Sequence, residues 1–252
     1  MTAVAGANIL ETHGLMKRFG GLLATDHVDF SLLRGELRCL IGPNGAGKTT
    51  FFNLVSGHLA ADGGTVLFNG RDITRLPLFE RTRLGIGRKF QSPSVFDELT
   101  VCDNLRVATR GKSSPFSLFI RRLDADYEAL AQEVLEKVHL RGKRDLPASK
   151  LSHGERQWLE IGMVLANKPD LLLLDEPTAG MTPAETRETA VLLKEITAEV
   201  STIVIEHDLK FVREIASTIT VMHKGGILTE GPIEEIAANE EVKKVYLGRE
   251  VL

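Results

Sequence analysis

Val28, Phe30 and Leu32 fall on one face of an extended chain and Asp29 and Ser31 on the other, and this period of two, running through residues 9–41, predicts strand. Gly35–Glu36 marks a turn before the short apolar run Leu37–Gly42, a further strand. Thr65–Phe68 followed by Asn69–Gly70 predicts a hairpin, because its two-residue turn needs positive φ and Asn-Gly supplies it. The pattern then changes. Residues 99–148 show helical spacing, as in Leu123, Tyr127, Leu130, Val134 and Leu135, broken by a loop at Gly111–Pro115. Residues 92–160 therefore read as a mostly helical insert. Alternation returns with Leu171–Leu174 as a buried strand. Thr182-Pro-Ala-Glu185 then forms a capping box with Pro at the first helical position, and Thr202–Ile205 is the next strand. Val221–Met222, Lys224-Gly-Gly226 and Ile227–Leu228 read as a hairpin, and Ile233, Ile236, Val242 and Val245 give the tail near-helical spacing. Strands alternating with helices predict a mainly parallel α/β core. No internal repeat is visible.

Composition narrows the class. With 252 residues, 43% apolar and 26% charged, the chain can bury a full core. Its formal charge of −3 argues against a broad basic face for nucleic acid. The clusters Arg121–Arg122 and Arg141–Arg144 read as solvated surface or local ion pairs. Cys39 and Cys102 are far apart and outside any CxxC spacing, which suits reduced thiols. The first residues lack the pattern of a signal peptide. No apolar stretch approaches the roughly 18 residues of a membrane span, so the chain is not expected to cross the bilayer alone, though it could dock on a protein that does.

The sharpest chemical signal is Gly42-Pro43-Asn44-Gly45-Ala46-Gly47-Lys48-Thr49, a complete GxxxxGK[ST]. Its glycines let successive N–H groups curl around phosphate oxygens; Lys48 reaches the β- and γ-phosphates, and the Thr49 hydroxyl suits Mg²⁺. A strand precedes it and a helix, Thr50–Ser56, should follow. Leu171–Leu174 runs into Asp175-Glu176, which places two carboxylates at the sheet edge where ligands bind. Asp175 would hold Mg²⁺, and Glu176 could accept a proton from attacking water. Gly85-Ile-Gly87 begins like a dinucleotide fingerprint, but no third glycine follows at the required spacing.

Together these residues resemble the ATPase subunits of ABC transporters. Leu151-Ser152-His153-Gly154-Glu155 is similar to the family signature, usually LSGGQ; Gln91 lies where the Q-loop glutamine lies, His207 where the switch histidine lies, and Phe19 where an adenine-stacking aromatic is expected. The order spans 19 to 207, nearly the whole chain. The resemblance implies an α/β fold: a P-loop NTPase (ABC ATPase) core over 1–91 and 161–252, with an N-terminal antiparallel β subdomain and a helical signature subdomain over 92–160. It implies that ATP binds Phe19 and residues 42–50, Thr50 included, with Mg²⁺ at Thr49, Asp175 and Gln91. Glu176 would activate water, and His207 and Gln91 would position it and the phosphate. Ser152 and Gly154 would close over the γ-phosphate held by a second ATPase subunit. Such a subunit works head-to-tail in a dimer, on the cytoplasmic face of the membrane, beneath separate permease subunits. Val95, Phe96 and Leu99, within 91–105, could either receive a permease helix or pack internally.

Two departures from the family pattern stand out. His153 and Glu155 replace a glycine and the glutamine of the signature, and Ala179-Gly180-Met181-Thr182 replaces the usual Ser-Ala-Leu-Asp. That run, together with Gly85-Ile-Gly-Arg-Lys-Phe-Gln91 and Tyr246-Leu-Gly248, resembles the ATPases of branched-chain amino-acid importers. Ser152-His-Gly154, Gln157-Trp158-Leu-Glu-Ile-Gly-Met163 and Gly35-Glu-Leu-Arg-Cys39 bring it closer to the urea-uptake branch. The expected function is ATP-driven uptake of a small polar solute, urea first, with branched-chain amino acids as the alternative. An efflux motor and a non-transport ABC ATPase remain open behind these.

Overall fold

The computed structural model describes residues 7–89, 95–110 and 122–247. Gln91 and the loop at 111–115 lie outside the described residues.

The first third is strand-rich and partly antiparallel, as expected. β1 (Asn8–Phe19) pairs with β2 (Leu22–Leu33), and across its other edge with β4 (Gly63–Phe68), which pairs with β5 (Arg71–Asp72). Asn69 and Gly70 have φ of 52° and 73°, so the hairpin turns as its residues require.

β3 (Leu37–Ile41) leaves this sheet and enters the centre of a second. Its strand order is β10-β9-β3-β8-β7-β6, with β6 (Ile86–Lys89), β7 (Leu171–Asp175), β8 (Ser201–Ile205) and β9 (Thr218–His223) parallel to β3 and β10 (Gly226–Gly231) antiparallel at the edge. Period-two geometry gives β7 two faces. Leu171 and Leu173 join a core with Phe51, Phe52 and the β1–β2 face, while Leu172 and Leu174 join a second core with Trp158, Leu159 and Leu193. A strand buried on both faces can afford no alternation, which is why its sequence is four leucines in a row.

Helices fill the crossovers. α1 (Lys48–Ser56) begins two residues earlier than its sequence suggested, directly on the glycine-rich loop. α2 (Leu78–Leu84) and β6 were not foreseen; Gly85, read as a failed fingerprint, is a left-handed C-cap at φ 112° that turns one into the other. α3 (Val101–Arg110), α4 (Arg122–Lys137) and α5 (His153–Leu165) supply the helical middle. α6 (Pro183–Thr197) starts on the predicted capping box, with Thr182 and Glu185 bonded reciprocally. α7 (Leu209–Ile215), capped by Asp208, was also missed. The tail is two helices, α8 (Ile233–Ala238) and α9 (Glu240–Leu247), broken at Asn239. Among the described residues no helix is long and apolar enough to cross a membrane.

Candidate nucleotide site

β3 ends at Ile41, and residues 42–47 loop over the sheet edge into α1. The loop fits only because its glycines lack Cβ atoms. At Gly47, with φ 106°, a Cβ would lie 2.4 Å from the Ala24 carbonyl oxygen; at Gly42, with φ 152°, it would lie 2.3 Å from that of Met222. Gly225 N–H donates to Ala46 O at 2.9 Å, so the β9–β10 turn braces the loop from outside. No side chain caps α1 and no acidic residue occupies its first turn. Lys48 is buried, and its ammonium donates back to the carbonyls of Gly42 at 2.7 Å and Pro43 at 3.1 Å. Burial lowers its pKa, while the Glu176 and Asp175 carboxylates oppose that shift.

A cleft of about 600 Å³ opens over this loop. It is lined by Phe19, Asn44, Gly45, Ala46, Gly47, Lys48, Thr49, Thr50, Glu176 and His207, ten residues singled out in the sequence. Phe19 is 47% exposed, and the Lys17 ammonium lies 5.8 Å from its ring centroid. Leu22, Leu23, Ala24, Ile205 and Lys224 also line the cleft and were not foreseen, since no local motif marks residues that only the β2 edge, the end of β8 and the β9–β10 turn bring in.

The two carboxylates at the end of β7 differ sharply. Asp175 is 2% exposed, and neither of its oxygens has a hydrogen-bond partner; its nearest cation is Arg88 at 3.8 Å. Burial raises its pKa, with Arg88 pulling the other way. An orphaned buried carboxylate beside Lys48 fits a hard divalent cation, whose preferred ligands are oxygens. Glu176 sits at φ 49°, a backbone region that disfavours residues with a Cβ, and its carboxylate meets His207 Nε2 at 2.9 Å. Glu206, buried and unforeseen, ties the two neighbouring segments together: it accepts from Thr178 N–H at 3.1 Å and Oγ at 2.6 Å, and from His207 N–H at 3.0 Å.

Ser152 and Gly154 do not line this cleft. Ser152 caps α5 in a capping box with Glu155. Across the chain, His153 Nε2 contacts the Ala179 carbonyl oxygen at 2.9 Å.

Residues 25–179 match the family model described as ABC transporter. The high-affinity branched-chain amino acid transport ATP-binding protein LivG of Escherichia coli K12 is 39% identical over 249 residues, covering 95% of this chain and 98% of the relative. BraF of Pseudomonas aeruginosa, described in the same terms, is 38% identical over the same coverage. Among solved structures, a nucleotide-free ATP-binding cassette from an ABC transporter matches with a TM-score of 0.85 at 33% identity, covering 96% of this chain and all of the other. cbiO1 of Clostridium perfringens, described as part of the transporter complex cbiONQ, matches with a TM-score of 0.82 at 28% identity, covering 95% of each chain.

Proposed function

This chain belongs to the ABC transporter ATP-binding family, and we propose that it is the ATP-hydrolysing subunit of a branched-chain amino-acid importer. The observation that carries the substrate class is near end-to-end likeness to LivG and BraF. The urea expectation gains no support from these relatives, and the amino-acid alternative replaces it. Residues shared with a urea branch lie around the signature and the β3 entry, parts that need not touch any solute.

In this reading, the adenine stacks on Phe19 and the phosphates settle on residues 42–50. Lys48 exchanges the Gly42 and Pro43 carbonyls for the β- and γ-phosphate oxygens. Thr49, Asp175 and Gln91 would hold Mg²⁺, which when bound neutralises phosphate charge. Water attacks the γ-phosphorus, its proton passes to Glu176, and the bond to ADP breaks. His207 orients Glu176 through their contact and faces the γ-phosphate. Ser152 and Gly154 act on ATP held by a second ATPase subunit, so one chain does not complete a site. The pair would cycle between open and closed at the cytoplasmic face of the membrane and move permease subunits docked near 91–105. Phe96, 51% exposed, suits that contact better than the partly buried Val95 and Leu99. The core (1–91 and 161–252) and the helical segment (92–160) would shift relative to one another during the cycle.

The test is uptake of labelled leucine and labelled urea by cells carrying Glu176→Gln in place of the normal chain. Loss of leucine uptake alone is expected. Loss of urea uptake alone would overturn the substrate class and keep the motor.

A further inference from the structure

The signature donors are already engaged inside this chain. Ser152 Oγ donates to Glu185 Oε1 at 2.8 Å, and Gly154 N–H donates to the same oxygen at 3.1 Å. The other oxygen, Oε2, accepts from Thr182 N–H and Thr182 Oγ, both at 2.9 Å. Four donors from two segments converge on one carboxylate. Their hydrogen bonds, those from Thr182 and Ser152 foremost, bring its pKa down to about 2. Only Oε2 is needed to cap α6, as the reciprocal Thr182 bonds show. Oε1 reaches out of its own helix to the start of another. The fit is close: a Cβ on Gly154 would lie 2.7 Å from the Glu185 carboxyl carbon. The start of α5 thus carries a hydroxyl, a backbone N–H and a resident oxyanion.

A carboxylate and a terminal phosphate ask the same thing of a helix N-terminus, and two oxyanions repel at that distance. We propose that Glu185 is a built-in competitor for the signature's anion site. In the open chain its carboxylate holds Ser152 and Gly154. Closure on the partner's ATP then requires the side chain to swing away from both, while it can keep its bonds to Thr182. The inference rests on the reading above that Ser152 and Gly154 meet the partner's γ-phosphate. Glu185 is then a positioning residue, acting through those two donors. It keeps the signature polar groups satisfied when no nucleotide is opposite, and it raises the ATP concentration at which the subunits close. His153 against Ala179 supports the same seating, since it ties the start of α5 to the loop that leads into α6.

The experiment uses the transporter purified with its permease and ATPase partners, measuring turnover against ATP concentration. Glu185→Gln preserves a capping box, which Glu and Gln both support, but removes the charge. The half-saturating ATP concentration should fall by about three- to ten-fold, with maximal turnover held or raised, as expected for replacing a charge-assisted contact by a neutral one. A residue that merely supported the fold would give the opposite split, lower turnover with unchanged or higher half-saturation, and that result would overturn the proposal. Glu185→Asp, one methylene shorter, still caps α6 but cannot span to both donors, and should shift half-saturation the same way; a rise would count against the proposal. Ser152→Ala separates the two layers. If it abolishes turnover while both Glu185 variants leave half-saturation unchanged, the competitor fails and the signature reading stands. If Ser152→Ala turns over normally, the signature reading itself fails, and the competitor with it.

Discussion

α1 and α5 start on the same backbone physics and prepare it in opposite ways. Each offers N–H groups that have no partner within their own helix and the positive end of a helix dipole, a general attraction for anions. At α1 the cap is Gly47, no side chain competes, and the nearest charge is the ammonium of Lys48, parked on two carbonyls of its own loop. At α5 the cap is Ser152, Glu155 closes a capping box, and Glu185 brings a carboxylate from another helix. A phosphate arriving at α1 trades carbonyls for itself around a cation. A phosphate arriving at α5 must expel an anion. The first exchange suits loading by a single chain. The second suits a step taken only when a partner presents a fully charged nucleotide.

The largest effect should come from a change that leaves both helix ends intact. Glu176→Gln keeps Lys48 and the loop, so ATP binding should persist while turnover falls by roughly 10²- to 10⁴-fold, the usual worth of a positioned general base. Steady-state hydrolysis set beside nucleotide affinity measures this; turnover within a few-fold of normal would remove Glu176 from that role. Next in size is Lys48→Ala, which breaks the α1 end alone. Nucleotide affinity should weaken by about 10- to 150-fold, corresponding to roughly 1.5–3 kcal/mol for hydrogen bonds to charged groups. The Ser152–Glu185 contact involves no atom of Lys48, so the α5 end should stay as it is. Unchanged affinity in calorimetry would overturn the phosphate-loop assignment.

The two ends also differed in how far they could be read before the structure. The phosphate loop is local: its glycines, lysine and threonine are consecutive, and a strand and a helix flank them as the hydrophobic pattern requires. The capping boxes at Ser152 and Thr182 were equally legible, because each closes within three residues. What could not be read was that their acidic members serve different partners. Each turns one oxygen back on its own cap, but the other oxygen of Glu155 meets the Lys143 ammonium, whereas that of Glu185 crosses to Ser152, a separation of 33 positions that no local pattern encodes. The same holds for Lys224, brought to the cleft by the β9–β10 edge, and for Glu206, which links Thr178 to His207. β6 was missed for a different reason. Its Ile-Gly-Arg-Lys sequence lacks the apolar run of a buried strand, and it is a strand because β7 offers an edge to pair with.

The smallest effect is the most discriminating, since it should raise stability. Asp175 is the third preparation for charge: a buried carboxylate with no hydrogen bond among the described residues, and the one that the proposed function gives to Mg²⁺. Its pKa is raised in the folded chain. A carboxyl raised in this way contributes most to stability below its unfolded pKa, and that contribution is lost as pH rises through the folded value. At neutral pH it is therefore a cost. Arg88 at 3.8 Å offsets part of it without a hydrogen bond, and Arg88 keeps Asn53 Oδ1 at 2.6 Å and Ser56 Oγ at 3.0 Å when Asp175 is neutralised. Removing one member of a buried pair usually destabilises, because it strands the other. Here the cations around Asp175 are held elsewhere, Lys48 on the Gly42 and Pro43 carbonyls and Lys89 on Glu160 as well as Arg88, so the desolvation cost should win. Asp175→Asn should then stabilise the nucleotide-free chain by about 1–2 kcal/mol at pH 7. At about 2–4 °C per kcal/mol for a chain of this size, that is a rise of several degrees in Tm. The gain should shrink as pH falls through the raised folded value and the native carboxyl takes up its proton, and the extra stabilisation by ATP with Mg²⁺ should fall. A lower Tm at pH 7 would mean that the Arg88 pairing outweighs burial, and that Asp175 is held for the fold rather than for a cation.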